Sequence, residues 1–297
     1  YADIGRSHAQ RLSSWCGQSL RSACTVEMTV LAFTGPDMHL MVSNADYHAD
    51  PATSASHLHA ISRSPQTYYK RFIDPQRPPS EPTAAMRLGT FVHTAVLEPD
   101  DLDRRYAVCA TRKGSTAYNR LIDKGIEPVT QAQWGQPLAR CDAARSPPDA
   151  AWLLPGRKAG HPGGWNDEQF DMRCKCRPDW WNGDIVIDLK TTQDASPRGF
   201  AKSVANFRYH VQQMHYLRGT NAARFIFIAV EKEYPFAVGV YELDNDACGV
   251  GEELRQRDMQ RIKTCKKRDE WPGYSNDISS LSLPPYATNV EFSSYDF

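Results

Sequence analysis

What the chain lacks narrows the field first. No uncharged apolar run approaches the roughly 20 residues that cross a bilayer, so no membrane-spanning helix is expected. No basic segment followed by an apolar core and a small-residue cleavage site heads the sequence; a secretion signal is not expected, and the expected compartment is the cytoplasm. The eight cysteines are scattered along 297 residues, unlike the dense framework of a small secreted domain, and are expected to be reduced thiols. Cys174 and Cys176 do not make a zinc pair, and no CxxC lies nearby. Cys248 and Cys265, alone in the C-terminal region, fall short of a four-cysteine iron–sulfur site. Net charge is absent too: Lys+Arg and Asp+Glu number 35 each, so any contact with nucleic acid must come from a local arrangement of charge. No internal repeat is present.

What is there is ordinary globular sequence. Hydrophobic residues make up 41% and charged residues 24%, which excludes a disordered or fibrous chain and leaves ample material for a core. Residues 1–43 read as an N-terminal extension whose order the sequence leaves open; a short helix within Arg6–Cys24 and a break at Phe33-Thr34-Gly35-Pro36 are its only signals. Residues 44–297 read as one domain. Ser54 and Ser64-Pro65 open two helices, the second carrying Tyr68, Tyr69 and Phe72 on one face. Thr83 caps a third, in which Leu88, Phe91, Val92, Ala95 and Val96 recur at helical spacing up to Pro99. TQAQWGQPLARCDAA reads as partly helical, and the Pro/Gly-rich stretch through GRKAGHPGGW reads as loop.

Two extended segments follow, Phe170–Trp181 and Asp184–Thr191, joined by the turn dipeptide Asn182-Gly183. Ser196-Pro197 starts a helix through Phe207, and another covers Val211 to about Arg218. ARFIFIAVEKE and FAVGVYELD read as strands, and Asn245–Arg268 as a long helix with a basic end. Helices, a strand cluster and then alternating elements predict an α/β core with a central mixed sheet and a helical N-terminal elaboration.

The chemistry concentrates in RPDWWNGDIVIDLKTT, Arg177 to Thr192. Strand alternation puts Asp188 and Lys190 on one face with Val186, and the hairpin brings Asp179 toward Asp188. Such a pair is either the solvated end of a strand or the working end of a metal-dependent nuclease. Two converging carboxylates repel unless a cation joins them; magnesium suits such a pair, with manganese as a substitute. Lys190 would then polarise the attacking water or stabilise charge on the phosphate. Pro178-Asp179 followed by Asp188-Leu189-Lys190 is the PD-(D/E)xK pattern. Upstream, Gly89 and His93 lie one turn apart; His93 is either a satisfied core residue or a ligand, and Gly89 marks a place where another backbone or a ligand approaches. Downstream, Gln212 and Tyr216 also lie one turn apart.

In this order the three motifs resemble the RecB-like branch of the PD-(D/E)xK nucleases. The blocks YHADPATSASHLHAISRSPQTYYKRF, MRLGTFVHTAVLEP, CKCRPDWW and DLKTTQDASPRGFAKSVANFRYHVQQMHYLRG resemble the RecE-type exodeoxyribonuclease VIII nuclease domain of prophages, from about Asn44 onward. The resemblance implies a restriction-endonuclease-like core and a 5′-to-3′ exonuclease on linear double-stranded DNA. Its 3′ single strands would pass to a RecT-type annealing protein, and the chain would form a ring-like homo-oligomer, a tetramer. It further implies that His93, Asp179 and Asp188 bind the metal, that Lys190 is catalytic, and that Gln212 and Tyr216 lie near the DNA end and the attacked phosphate. The sequence departs from the family in residues 1–43 and in loop 156–165, where relatives often carry an acidic residue; a second metal site and the activity itself turn on that loop. Glu98 reads as a helix-end residue rather than a supporting acid.

Arg173, Lys175 and Arg177 alternate along the strand before Asp179, either as a solvated edge or as a row holding backbone phosphates. Arg198, Lys202 and Arg208 are further phosphate candidates, and Thr191 and Thr192 either bond a phosphate or cap the strand end. At least one of Trp180 and Trp181 is expected to pack in the core, the other to pack or to stack on a frayed base. Two alternatives remain: a nuclease of other specificity (an endonuclease or a single-strand trimming enzyme) and a catalytically silent DNA-binding recombination scaffold.

Overall fold

The computed structural model describes residues 44–78, 82–131, 134–135, 139, 143, 163–275 and 277–284. The expectations for residues 1–43 and for most of 130–162 lie outside the described residues.

The first elements are helices set by local chemistry. After α1 (Asn44–Ala49) comes α2 (Ala55–Arg63), where the Ser54 backbone N–H and hydroxyl both meet His57 Nδ1, at 3.2 and 2.7 Å. Helix α3 (Pro65–Phe72) starts as the sequence predicts, with Ser64 Oγ accepting from the Thr67 amide at 3.0 Å and Pro65 in its first turn. Thr83 caps α4 (Ala84–Leu97) in the same way, through the Met86 amide. A 3₁₀ turn and α5 (Leu102–Arg105) lead to β1 (Tyr106–Val108), which pairs in parallel, across α6 (Thr116–Asp123), with β2 (Glu127–Val129).

An antiparallel hairpin of β3 (Gly163–Asp167) and β4 (Met172–Cys176) comes next. Two expectations change here. Gly163 to Trp165, expected in a loop, form the first three of the five residues of β3. The single extended segment expected over Phe170–Trp181 is split: β4 ends at Cys176, and only β5 (Trp180–Trp181) joins the main sheet. Pro178, between them, has no N–H to offer a ladder.

The main sheet has the order β5-β6-β7-β8, with β6 (Ile185–Thr192) followed by α7 (Pro197–Phe207) and α8 (Tyr209–Thr220) before β7 (Arg224–Glu231), β8 (Val238–Tyr241) and α9 (Asn245–Arg268). Strands β6 and β7 are parallel, which requires a crossover, and α7 and α8 supply it; the other two pairings are antiparallel. This is the expected mixed sheet flanked by helices.

Both central strands are rich in β-branched and aromatic residues because both faces are covered. On one face Ile187, Leu189, Ile226 and Ile228 pack with Phe91 and Val92 of α4. On the other, Val186, Phe225 and Phe227 pack with Phe200 and Val204 of α7 and with Tyr216 of α8. Truncating Ile187 or Leu189 to alanine in such packing costs about 2–5 kcal/mol. A third cluster ties α2, α3 and α9 to Val211 of α8. Beside it the buried Arg255 is satisfied by Asp167 at 2.9 Å and Glu252 at 2.8 Å. Strand β6 is therefore held rigidly from two sides.

Candidate active site

The β5–β6 hairpin sets the first geometry. Asn182 Oδ1 accepts from the amides of Asp184 and Ile185 at 3.0 and 2.8 Å, and Gly183 takes φ = 103°, which side chains resist. Trp180 faces Ile187 and Trp181 faces Val186 across the ladder. Asp179, one step before Trp180, accepts from the Leu189 amide through Oδ2 at 2.7 Å. Asp188 and Lys190 share the Val186 face as expected, with Lys190 Nζ 2.5 Å from Asp188 Oδ2. Trp180 packs in the core and Trp181 is half-buried.

Helices bring the remaining groups. From α4, His93 Nδ1 lies 3.2 Å from Asp179 Oδ1, so His93 joins the site rather than the core. Gly89, one turn earlier, has no neighbour within 4 Å of where a Cβ would stand, so no close approach among the described residues explains it. Glu98 ends α4 and pairs with Arg105 at 2.7 Å, a helix-end role as expected. From α8, Gln212 donates through Nε2 to Asp188 Oδ1 at 2.9 Å and accepts at Oε1 from Lys190 Nζ at 3.1 Å. Tyr216 is buried one turn on, and together with Gln212, Phe207, Tyr209, Tyr47 and His48 it lines a cleft of about 650 Å³. Sequence reasoning missed Tyr209, whose ring centroid is 4.6 Å from Lys190 Nζ. Its signal was its place three residues before Gln212, hence on the same helical face.

Charge alternates through this set. Burial pushes the Asp188 carboxyl up to about 6; Lys190 pulls it down and Asp179 adds to the rise. Burial acts in the same upward direction on Asp179, but the charge and hydrogen bond of His93, with Lys190 behind, leave it below the usual carboxylate range. Burial would lower His93, yet the Asp179 charge outweighs it and the imidazole is raised. Lys190 is likewise raised: burial opposes its charge, and Asp188 and Asp179 more than offset that.

An imidazole and two carboxylates, one of them strained by burial toward its neutral form, have the donor chemistry of a hard divalent cation site. Here these side chains are joined in pairs, His93 to Asp179 and Asp188 to Lys190 and Gln212. Among the described residues no three His, Cys, Asp or Glu side chains gather around one point. The residue types fit a metal.

Several expected phosphate contacts are engaged elsewhere. Lys175 is buried, and its Nζ donates to the carbonyls of Tyr47 and, at 2.6 Å, of Asp50, capping the C-terminal end of α1. In this structure its ammonium serves the fold. Arg173 is exposed but pairs with Asp50 at 2.9 Å, and Arg177 lies against the Tyr47 ring at 5.9 Å. The alternating row does share a face, and residues of α1 and Asp50 lie against it. Thr192 is buried and donates to the Asp194 carbonyl at 3.1 Å, so it caps the strand end. Arg208 sits at the α7–α8 junction with its guanidinium on the buried Asp258. Arg198 and Lys202 are exposed on α7, and Thr191 is half-buried at the end of β6.

No curated protein matches the chain by sequence. Among solved structures it is similar to a "Putative exonuclease" from Eubacterium rectale, with a TM-score of 0.58 at 12% identity, over 85% of this chain and 100% of that one. It is also similar to a phage-related exonuclease from Haemophilus somnus 129PT, with a TM-score of 0.33 at 12% identity, over 74% of this chain and 96% of that one. The first likeness supports the fold. Residues 54–284, which carry every catalytic and metal candidate named above, match one family model, and the chain belongs to that family, the PDDEXK-like domain of unknown function DUF3799.

Proposed function

We propose that this protein is a magnesium-dependent 5′-to-3′ exonuclease that degrades one strand of linear double-stranded DNA and leaves 3′ single-stranded tails. The observation that carries the nuclease reading is Gln212, which holds Asp188 and Lys190 together while Asp179 is fixed by the Leu189 amide and His93. Membership of a PDDEXK-like family and the likeness to exonuclease folds support a nuclease. Polarity, the RecT-type annealing partner and a tetrameric ring rest on the resemblance of the quoted sequence blocks to RecE-type nucleases.

In this reading Asp179, Asp188 and His93 would hold magnesium, or manganese in its place, which supplies Lewis-acid stabilisation of the phosphate and a more acidic water. The chain's own groups do the rest. Lys190, raised and therefore cationic at neutral pH, orients the attacking water and meets the negative charge that grows on the phosphate. Gln212 fixes the lysine's reach, and the burial of Asp188 excludes competing water. Water attacks phosphorus, the bond to the bridging oxygen breaks, and that oxygen takes up a proton. Thr191, near the end of the catalytic strand, and Arg198 and Lys202, on the helix that follows it, are where flanking phosphates would be met.

The test follows linear duplex DNA labelled separately at its 5′ and 3′ ends, with magnesium, for wild type and Lys190→Ala. Early release of the 5′ label by wild type alone, with closed circles spared, is the expected result. Retention of both labels on bound duplex would sink the catalytic reading, and cut circles would turn it to an endonuclease.

A further inference from the structure

We propose that Tyr209 is a positioning residue whose ring face seats the Lys190 ammonium, a role that rests on the nuclease reading only for its effect on rate. Three groups surround this ammonium. Asp188 Oδ2 is at 2.5 Å, Gln212 Oε1 at 3.1 Å, and the Tyr209 ring centroid at 4.6 Å. The first holds it as an ion pair and the second as a hydrogen bond. Alone they leave the long side chain free to pivot about them, because an ammonium carries three rotatable donors on a flexible stem. An aromatic face closes the third side with the negative lobe of its quadrupole, and it offers no hydrogen-bond acceptor to compete for the proton-bearing side of the group.

The ring is itself held. It stacks on Phe207 at 5.6 Å and on Phe227 of β7 at 6.1 Å, and tilts against Phe200 at 6.2 Å. Its backbone is fixed because Arg208, immediately before it, turns the chain with φ = 59° and is anchored on Asp258. Tyr209 thus opens α8 one turn before Gln212, and the two reach Lys190 from one helical face. A residue kept only to fill the core would need no such alignment with a charge. Tyr209 also lines the cleft, so the seat lies at the boundary between the aromatic cluster and the space a substrate would enter.

The test separates ring from bulk. Tyr209→Phe keeps the π face and removes the hydroxyl; Tyr209→Leu keeps apolar packing and removes the face. With a seat, the Phe variant stays within about twofold of wild type in kcat, while the Leu variant falls roughly tenfold or more in kcat at nearly constant KM, a loss typical of an interaction made at the transition state. A role in packing alone predicts that the Leu variant loses melting temperature while kcat of the folded protein stays near that of the Phe variant, and that result would overturn the proposal. A second readout needs no cleavage. In protein labelled with 13C-lysine, the Lys190 ε-methylene signal, identified by its loss in Lys190→Arg, should lie upfield from the ring current in wild type and in Tyr209→Phe. An unshifted signal in wild type would overturn the seat even if the Leu variant failed to fold. A shifted signal in a protein that leaves DNA intact would retain the seat and remove the nuclease reading.

Discussion

The side-chain amide nitrogen of Gln212 stands 2.9 Å from Asp188 Oδ1, so a residue of α8 is bound directly to the central acid of β6. The same side chain accepts from Lys190, and one amide therefore reads both members of the DxK pair. An amide can do both, because its donor nitrogen and acceptor oxygen branch from one carbon.

That double contact gives the first prediction. Gln212→Glu removes the donor and places a third carboxylate against Asp188, which burial already disfavours as an anion. In the proposed exonuclease reaction kcat is expected to fall about 100-fold, roughly 2.7 kcal/mol of barrier. Gln212→Ala, which loses the contacts without adding charge, should fall less. Single-turnover rates on end-labelled duplex would rank the two; the reverse order would remove the bridging role.

A second prediction concerns pH and stability without divalent cations. The Asp188 carboxyl is pushed up to about 6 in the folded protein, against about 3.9 in an unfolded chain. The native state thus binds this proton more tightly, so the stabilising contribution is complete below about pH 3.9 and is lost as pH rises through 6. His93, also raised, acts in the same direction. Urea unfolding at pH 4.5 and 7.5 should show Asp188→Asn gaining on wild type at the higher pH. A difference between the two proteins that does not change with pH would contradict the buried, proton-holding carboxyl.

Cation affinity provides a third. His93 stands on Asp179, so His93→Gln should weaken manganese binding at least tenfold, measured as free Mn²⁺ by paramagnetic resonance, while leaving the melting temperature nearly unchanged. Unaltered affinity would place His93 outside the metal set.

The basic residues should divide into two groups. Lys175→Met leaves the carbonyls of Tyr47 and Asp50 without their donor and is expected to cost about 1–3 kcal/mol in stability with little change in the salt dependence of DNA binding. Arg198→Gln and Lys202→Gln should do the opposite, each reducing the slope of log K against log salt by about 1 at unchanged stability. Fluorescence anisotropy at several salt concentrations, beside thermal melts, distinguishes the groups. A reduced slope for Lys175→Met would return that residue to the DNA interface.

The parts of this fold that were legible in the sequence are those set by neighbours in the chain. Ser64-Pro65, Thr83 and Ser196-Pro197 begin helices because a hydroxyl and a fixed φ act within one turn. β6 reveals its faces because strand side chains alternate, and Asp179, Asp188 and Lys190 follow from that together with the turn at Asn182-Gly183. What escaped is set by distant partners. Gly163–Asp167 forms a strand because β4 pairs with it, and Gly219 of α8 gives its Trp165 ring room where a Cβ would stand 2.4 Å from the ring. Lys175 reads as a surface cation because nothing near it in sequence announces α1 lying over it. The role of Arg208 depends on Asp258, 50 residues further on.

Arg208 is also the whole joint between α7 and α8: a single left-handed residue separates Phe207 from Tyr209. Such a joint holds no slack. One extra residue there would have to be absorbed by sliding or rewinding α8, at about 1.5 Å or 100° per residue, carrying Tyr209 and Gln212 away from Lys190 together. The exposed turn at Asn182-Gly183 is different, since a longer loop would keep both β5–β6 pairs at small entropic cost. Length variation among natural relatives of this chain should therefore collect at the hairpin tip and be excluded from the joint, whichever residue occupies position 208.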